Sequence, residues 1–165
     1  MSPESIPVEL VGVRIELPTN TPIVLLREEP PGRRYLPIFI SQPEATAIVY
    51  ALQGMDTPRP MTHDLLKTLL DEVSVRVGKV VITSLSEGTF FAELELMVNG
   101  SEHRISSRPS DAIAIAVRYE EGVPIFAEES VLEEAGVVFE ADDEEEQVER
   151  FRTFLEEITP EDFAT

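Results

Sequence analysis

The chain has no cysteine among its 165 residues, which excludes disulfide cross-links and thiolate chemistry. A cysteine-free chain also fits a reducing compartment. Basic residues are scarce: 13 Lys and Arg stand against 32 Asp and Glu, a formal net charge of -19. The excess is not confined to one end, because residues 140–165 hold a net of -9 and the preceding 139 residues still hold -10. Non-specific affinity for nucleic acid comes mainly from Lys and Arg neutralising phosphates. A broad basic stripe, and tight non-specific binding with it, is therefore excluded. Any phosphate must be met by a local group of arginines. Eleven of the 13 basic residues are Arg, which suits bidentate phosphate contacts, although genomic composition bias gives the same count.

Long apolar runs are missing as well. None approaches the ~20 residues needed to cross a bilayer, and residues 1–10 lack the basic start and apolar run of a signal peptide. The expectation is a cytoplasmic protein with no membrane partner. There is no Gly-rich phosphate loop, dinucleotide fingerprint, zinc-ligand spacing or nucleophile elbow. Phe90 and Phe91 lack the basic neighbours that an RNA-binding sheet wants.

What is present is a 42% apolar composition, enough for one packed domain. Val8–Leu17, Pro22–Arg27 and Tyr35–Ile40 read as three strands of an antiparallel meander, separated by turn-rich segments. Ser41-Gln42-Pro43-Glu44 reads as a capping box opening a helix, with Ala45, Ile48, Val49 and Leu52 on its apolar face and Gly54 at its end. A second helix is expected from Thr62, burying Leu65, Leu66, Leu69, Leu70 and Val73. Strands follow over 78–85, 90–98 and 102–106. Asn99-Gly100 between the last two is a strong hairpin signal. A third helix opens at Ser110 and is apolar nearly all round through Val117, so it belongs in the core. A short strand over 123–127 and a short helix over 128–134 complete the body. The expected class is α+β: one mostly antiparallel sheet with three core helices, in a domain spanning 1–139. Residues 140–165 read as an acidic linker and C-terminal helix, with a narrow apolar seam of Val148, Phe151, Leu155 and Ile158.

Two segments share a pattern. Arg59-Pro60-Met61-Thr62-His63-Asp64 and Arg108-Pro109-Ser110-Asp111 each present Arg-Pro, a hydroxyl placed to cap a helix, and Asp in the first turn. Both also read as ordinary helix starts, since Thr and Ser are good caps and an acid there favours the dipole. Their duplication points further. Helix N-termini already favour anions, so Arg59, Thr62, Arg108 and Ser110 form a candidate substrate-binding group for phosphate or carboxylate. If the two starts meet, His63, Asp64 and Asp111 form a candidate catalytic group. Asp64 and Asp111, with Glu44 as a further ligand, would suit a divalent metal such as Mg²⁺ or Mn²⁺ that activates water. His63 also reads as a general base or as a capping histidine. No role falls to His103.

At these positions the sequence resembles the bifunctional nuclease domain family. The matching pieces are Leu36-Pro-Ile-Phe-Ile40 followed by Glu44-Ala45, then Arg59 to Leu65, Gly88-Thr-Phe-Phe-Ala92, and Arg108 to Ala116. They span about Val8 to Glu134. The resemblance implies an α+β domain, assembly into a homo-oligomer, and nuclease activity on DNA and RNA. It departs at Ser106, where many relatives have Asp, and at Ser41, where many have Gly. Three functions stay open: a metal-assisted nuclease, a non-catalytic regulatory or binding module using the two Arg-Pro helix starts as an anion site, and a purely structural use of those starts.

Overall fold

The computed structural model describes residues 4–138. The elements run β1 (Ser5–Glu16), β2 (Thr21–Glu28), β3 (Tyr35–Phe39), α1 (Gln42–Leu52), α2 (Thr62–Glu72), β4 (Arg76–Ser86), β5 (Thr89–Val98), β6 (Ser101–Ser107), α3 (Pro109–Ala116), β7 (Ile125–Glu128) and α4 (Glu129–Ala135). The acidic linker and the seam over Val148, Phe151, Leu155 and Ile158 lie outside the described residues.

Seven strands form one sheet in the order β3-β2-β1-β7-β4-β5-β6. It is built from two antiparallel meanders. β7 joins them, pairing antiparallel with β1 and parallel with β4. A parallel pair needs a long crossover, and the chain between β4 and β7 supplies one containing α3. The fold is thus α+β with a mostly antiparallel sheet. The hairpins follow their turn residues. Asn99 and Gly100 both take positive φ, 50° and 81°, as do Glu87 and Gly88 at 50° and 80°. Positive φ at both central residues is what a two-residue hairpin turn compatible with strand twist requires.

One face of the sheet carries the core. On β5, Ala92, Leu94 and Leu96 are buried at period two, toward the helices. α3 is the central helix: Ala112 to Ala116 are all buried, and its alanines let it pack closely on α1, β4 and β5. α1 buries Ala45, Ala47, Ile48 and Val49, while Leu52 at its end stays exposed. α4 adds Val131 and Leu132 to the core.

The second helix departs from expectation. Only His63 of α2 is buried. Leu65, Leu69 and Val73, expected inside, are 51%, 53% and 67% exposed, and Leu66 is also exposed. Leu70 alone of that set packs partly on the core. The amphipathic period is real, but α2 turns His63, Lys67 and Leu70 inward, toward α3 and Tyr119, and leaves its apolar stripe uncovered. Among the described residues, no helix is long and apolar enough to cross a membrane.

Candidate active-site cleft

The starts of α1, α2 and α3 converge. α3 is capped two residues earlier than the hydroxyl pattern suggests. Arg108 is the cap, Pro109 occupies the first turn, and Ser110 is a buried helical residue. Similarly, Met61 caps α2 and Thr62 is its first residue. Neither hydroxyl therefore serves as the cap. With no N–H to satisfy, Pro109 fits a first helical turn, and both Asp64 and Asp111 fall at the third helical position.

The side chains then diverge. His63 Nε2 lies 2.9 Å from Asp111 Oδ1, joining the start of α2 to the start of α3. Asp111 Oδ2 accepts from Arg108 Nε at 2.8 Å, and Arg108 Nη2 donates to Glu44 Oε1 at 2.7 Å. The Ser41 hydroxyl donates to the other Glu44 oxygen, so Ser41 and Glu44 form a side-chain pair in place of a capping box. Burial pushes the Glu44 carboxyl up, but the Ser41 and Arg108 hydrogen bonds outweigh it and hold it below the usual range. The result is a chain Ser41–Glu44–Arg108–Asp111–His63 across three helix starts.

Asp64 belongs to a different group. Its Oδ2 accepts the Met61 backbone N–H at 2.9 Å, and its Oδ1 accepts from Arg118 Nε at 2.6 Å. Arg118, just past the end of α3, also donates to the carbonyls of Ala114 at 2.5 Å and Ala47 at 3.1 Å. It thereby ties α1, α2 and α3 together. The sequence gives no signal for Arg118, an arginine beyond an apolar helix.

A cleft of about 850 Å³ opens over the first group. Glu44, Thr62, His63, Ser106, Arg108 and Asp111 all line it. The helix starts supply one wall, and the end of β6 with Leu94 of β5 supplies the other. Arg108 is its most available cation: its side chain is 60% exposed, and Nη1 has no partner among the described residues. Arg59 is exposed ahead of α2 and is not among the lining residues. The two Arg-Pro starts are therefore not equivalent seats.

Glu44, Asp64 and Asp111 do not form the ligand set expected from the sequence. Among the described residues, no three His, Asp or Glu side chains group as metal ligands. Asp64 is held by Arg118 and a backbone N–H, and the space between Glu44 and Asp111 is spanned by Arg108.

On the other side of Arg108 lies a second cleft of about 420 Å³, where Phe90 comes to the same pocket as Phe39 and Arg108. Sequence separation hides this: Phe90 has no basic neighbour along the chain, but it gains one through the fold.

The Leu36–Ile40, Arg59–Leu65, Gly88–Ala92 and Arg108–Ala116 segments all contribute residues to these clefts or border them. The profile of the bifunctional nuclease domain matches residues 24–140, and the chain belongs to that family. It is 45% identical over 164 residues to an uncharacterized protein of Mycobacterium tuberculosis strain H37Rv, covering 94% of this chain and 96% of that one. It is also 34% identical over 108 residues to bifunctional nuclease 2 of Arabidopsis thaliana. That match covers 62% of this chain but only 32% of the plant protein. A match to bifunctional nuclease 2 of rice is 29% identical over 119 residues, 70% of this chain and 36% of the relative.

Proposed function

We propose that the chain is a nuclease-like hydrolase that takes an RNA or DNA strand in the larger cleft. The observation that carries this reading is the 2.9 Å contact of His63 with Asp111 in the cleft wall beside the exposed Arg108. Asp111 orients the imidazole by accepting from Nε2–H, which leaves the lone pair on Nδ1. That nitrogen is suited to take a proton from an attacking water or sugar hydroxyl as the new P–O bond forms. Arg108 meets the phosphate through its free Nη1 and stabilises the developing charge. Thr62 at the start of α2 offers a hydroxyl to the same cleft.

A divalent metal, Mg²⁺ or Mn²⁺, would supply water activation and charge neutralisation when bound. Glu44 and Asp111 are the carboxylates nearest such a role, and a cation between them would have to displace Arg108. None of the steps above relies on it.

The assay is cleavage of labelled single-stranded RNA and DNA, with and without chelator, by the wild type and by Asp111→Ala. Turnover that disappears with Asp111→Ala supports the reading and excludes a contaminating nuclease. Turnover equal in both proteins opposes it. One observation favours a second reading, a non-catalytic anion-binding module: Arg108 already carries two carboxylates, and Asp64 is withdrawn from the cleft. Strand binding without turnover by the wild type is its signature.

Assembly into a homo-oligomer belongs to the same proposal, with α2 as the contact. Burying its stripe would contribute on the order of 1.5–3 kcal/mol per large side chain. β6, across the larger cleft from it, is an edge strand of the sheet, a surface that proteins usually cover or pair. A cytoplasmic setting is proposed on the absence of cysteine.

A further inference from the structure

The smaller cleft sits where the end of β3, the β4–β5 turn and the start of α3 meet. Its composition is unusual for this chain. Of its ten lining residues Arg108 alone is charged and none is acidic, in a protein of net charge -19. Phe39 and Phe90 supply its aromatic surface. Phe39 is 61% exposed although its neighbour Ile38 is 2% exposed, so the strand turns one large apolar side chain inward and leaves the next one facing the opening. Phe90 packs partly on the core, which fixes its position. Gly88 leaves open space, since nothing lies within 4 Å of where its Cβ would be. Ser41, Thr89 and Ser110 also line this space; the Ser41 hydroxyl is engaged by Glu44 and Ser110 is buried, so Thr89 carries the exposed hydroxyl. Arg108 lines both clefts.

We propose that this cleft is a nucleobase subsite, so that the protein takes single-stranded nucleic acid, with one phosphate on Arg108 and the adjoining base stacked against Phe39 and Phe90. The inference rests on the reading of the larger cleft as a strand-binding site and names the form of its substrate. An aromatic face beside a guanidinium is the arrangement by which single strands are held without sequence reading. Bases in a duplex have both faces covered by neighbours, so only an unstacked base can present one. The acidic body makes the subsite necessary as well as available. With so few cations, phosphate contacts alone give weak affinity, and stacking supplies attraction that does not depend on net charge. The exposed Thr89 hydroxyl can meet a base edge without excluding any of the four bases.

The test measures binding to the full-length protein of a short DNA strand with phosphorothioate linkages, which resist hydrolysis, carrying one 2-aminopurine. Its affinity is compared with that of an abasic strand of the same length and of a duplex. The single strand is expected to bind roughly tenfold or more tightly than either, with 2-aminopurine fluorescence quenched on binding. Phe39→Ala should lower the affinity for the base-containing strand toward the abasic level, Phe90 still meeting the base, while leaving abasic binding unchanged, and Phe39→Tyr should restore it. Because Phe39 is exposed, an unaltered melting temperature is expected for both variants. Equal binding of base-containing and abasic strands, or no effect of Phe39→Ala, overturns the subsite. If strands are still bound and cleaved in that case, the larger cleft keeps its function. If no strand binds at all, both readings fall.

Discussion

Arg118 Nε donates to Asp64 Oδ1 at 2.6 Å across the joint between α2 and α3, and only 7% of the Arg118 side chain is exposed. A guanidinium this enclosed depends on its carboxylate. Burial pushes Asp64 up, but Arg118 and the Met61 N–H outweigh it, so its carboxyl titrates below the usual range. A folded-state value lowered in this way contributes stability above the unfolded-state pKa, and that contribution is lost as pH falls through the folded value. Asp64→Ala is expected to lower stability by roughly 1–3 kcal/mol at neutral pH, because the enclosed Arg118 loses its carboxylate and keeps only the Ala47 and Ala114 carbonyls, while Asp64 itself is partly screened by solvent. Asp111→Ala, at a half-open cleft, should cost less. Urea unfolding midpoints of the two variants check the order, and the reverse order would contradict a structural role for Asp64.

A second carboxylate makes the acid limb of stability testable. Glu28 receives two hydrogen bonds from the Arg34 guanidinium, each 2.9 Å, and one from the Arg34 backbone N–H at 3.2 Å. The same guanidinium reaches Glu129 at the start of α4 through Nη1 at 2.8 Å and Nη2 at 2.9 Å. Gly32 makes room, because a Cβ there would lie 2.0 Å from the Glu28 carboxyl carbon. The Arg34 side-chain hydrogen bonds are the main cause that holds Glu28 below the usual carboxylate range. Its contribution is therefore complete above that range and lost as the protein is acidified through the lowered value. Glu28→Gln should lower stability at neutral pH and flatten the fall of the urea midpoint toward acid. A variant that keeps the full acid slope would place that slope elsewhere.

The uncovered face of α2 gives a test of assembly. Leu69→Glu changes a half-exposed side chain, so the stability of an isolated subunit should shift by no more than ~0.5 kcal/mol. If copies meet on α2, the variant lowers the mass seen by light scattering. A wild type that is already monomeric at high concentration would remove α2 as the contact.

Much of this architecture is legible in the chain because its signals are local. Asn99-Gly100 and Glu87-Gly88 specify their hairpins, the alternation from Phe91 to Leu96 gives the two faces of β5, and the alanine-rich run after Ser110 marks the core helix. The long-range features are less accessible. The periodicity of α2 shows that Leu65, Leu66, Leu69 and Val73 share a face, but periodicity does not say what covers it. The doubled Arg-Pro pattern correctly brings the starts of α2 and α3 together. Which acid faces which partner depends on where each helix is docked, so Asp64 goes to Arg118 and His63 goes to Asp111. Arg59 and Arg108 look equivalent in sequence, yet only Arg108 follows a strand that delivers it to the cleft. That Phe39 and Phe90 line one cleft depends on bringing together β3 and the β4–β5 turn, about fifty residues apart, which no local pattern encodes.

The most direct test of the proposed chemistry is the rate at which His63→Ala and Asp111→Asn cleave labelled single-stranded RNA and DNA, set beside their binding to the phosphorothioate strand. Both variants keep Arg108 and the aromatic cleft, so binding should persist. The proton-transfer group is gone in one and misoriented in the other. Cleavage should fall by about 10²–10⁴-fold for His63→Ala, and in the same direction for Asp111→Asn. Cleavage by His63→Ala at the wild-type rate, with the protein folded and the strand bound, would contradict the assignment of the His63–Asp111 pair as the catalytic centre.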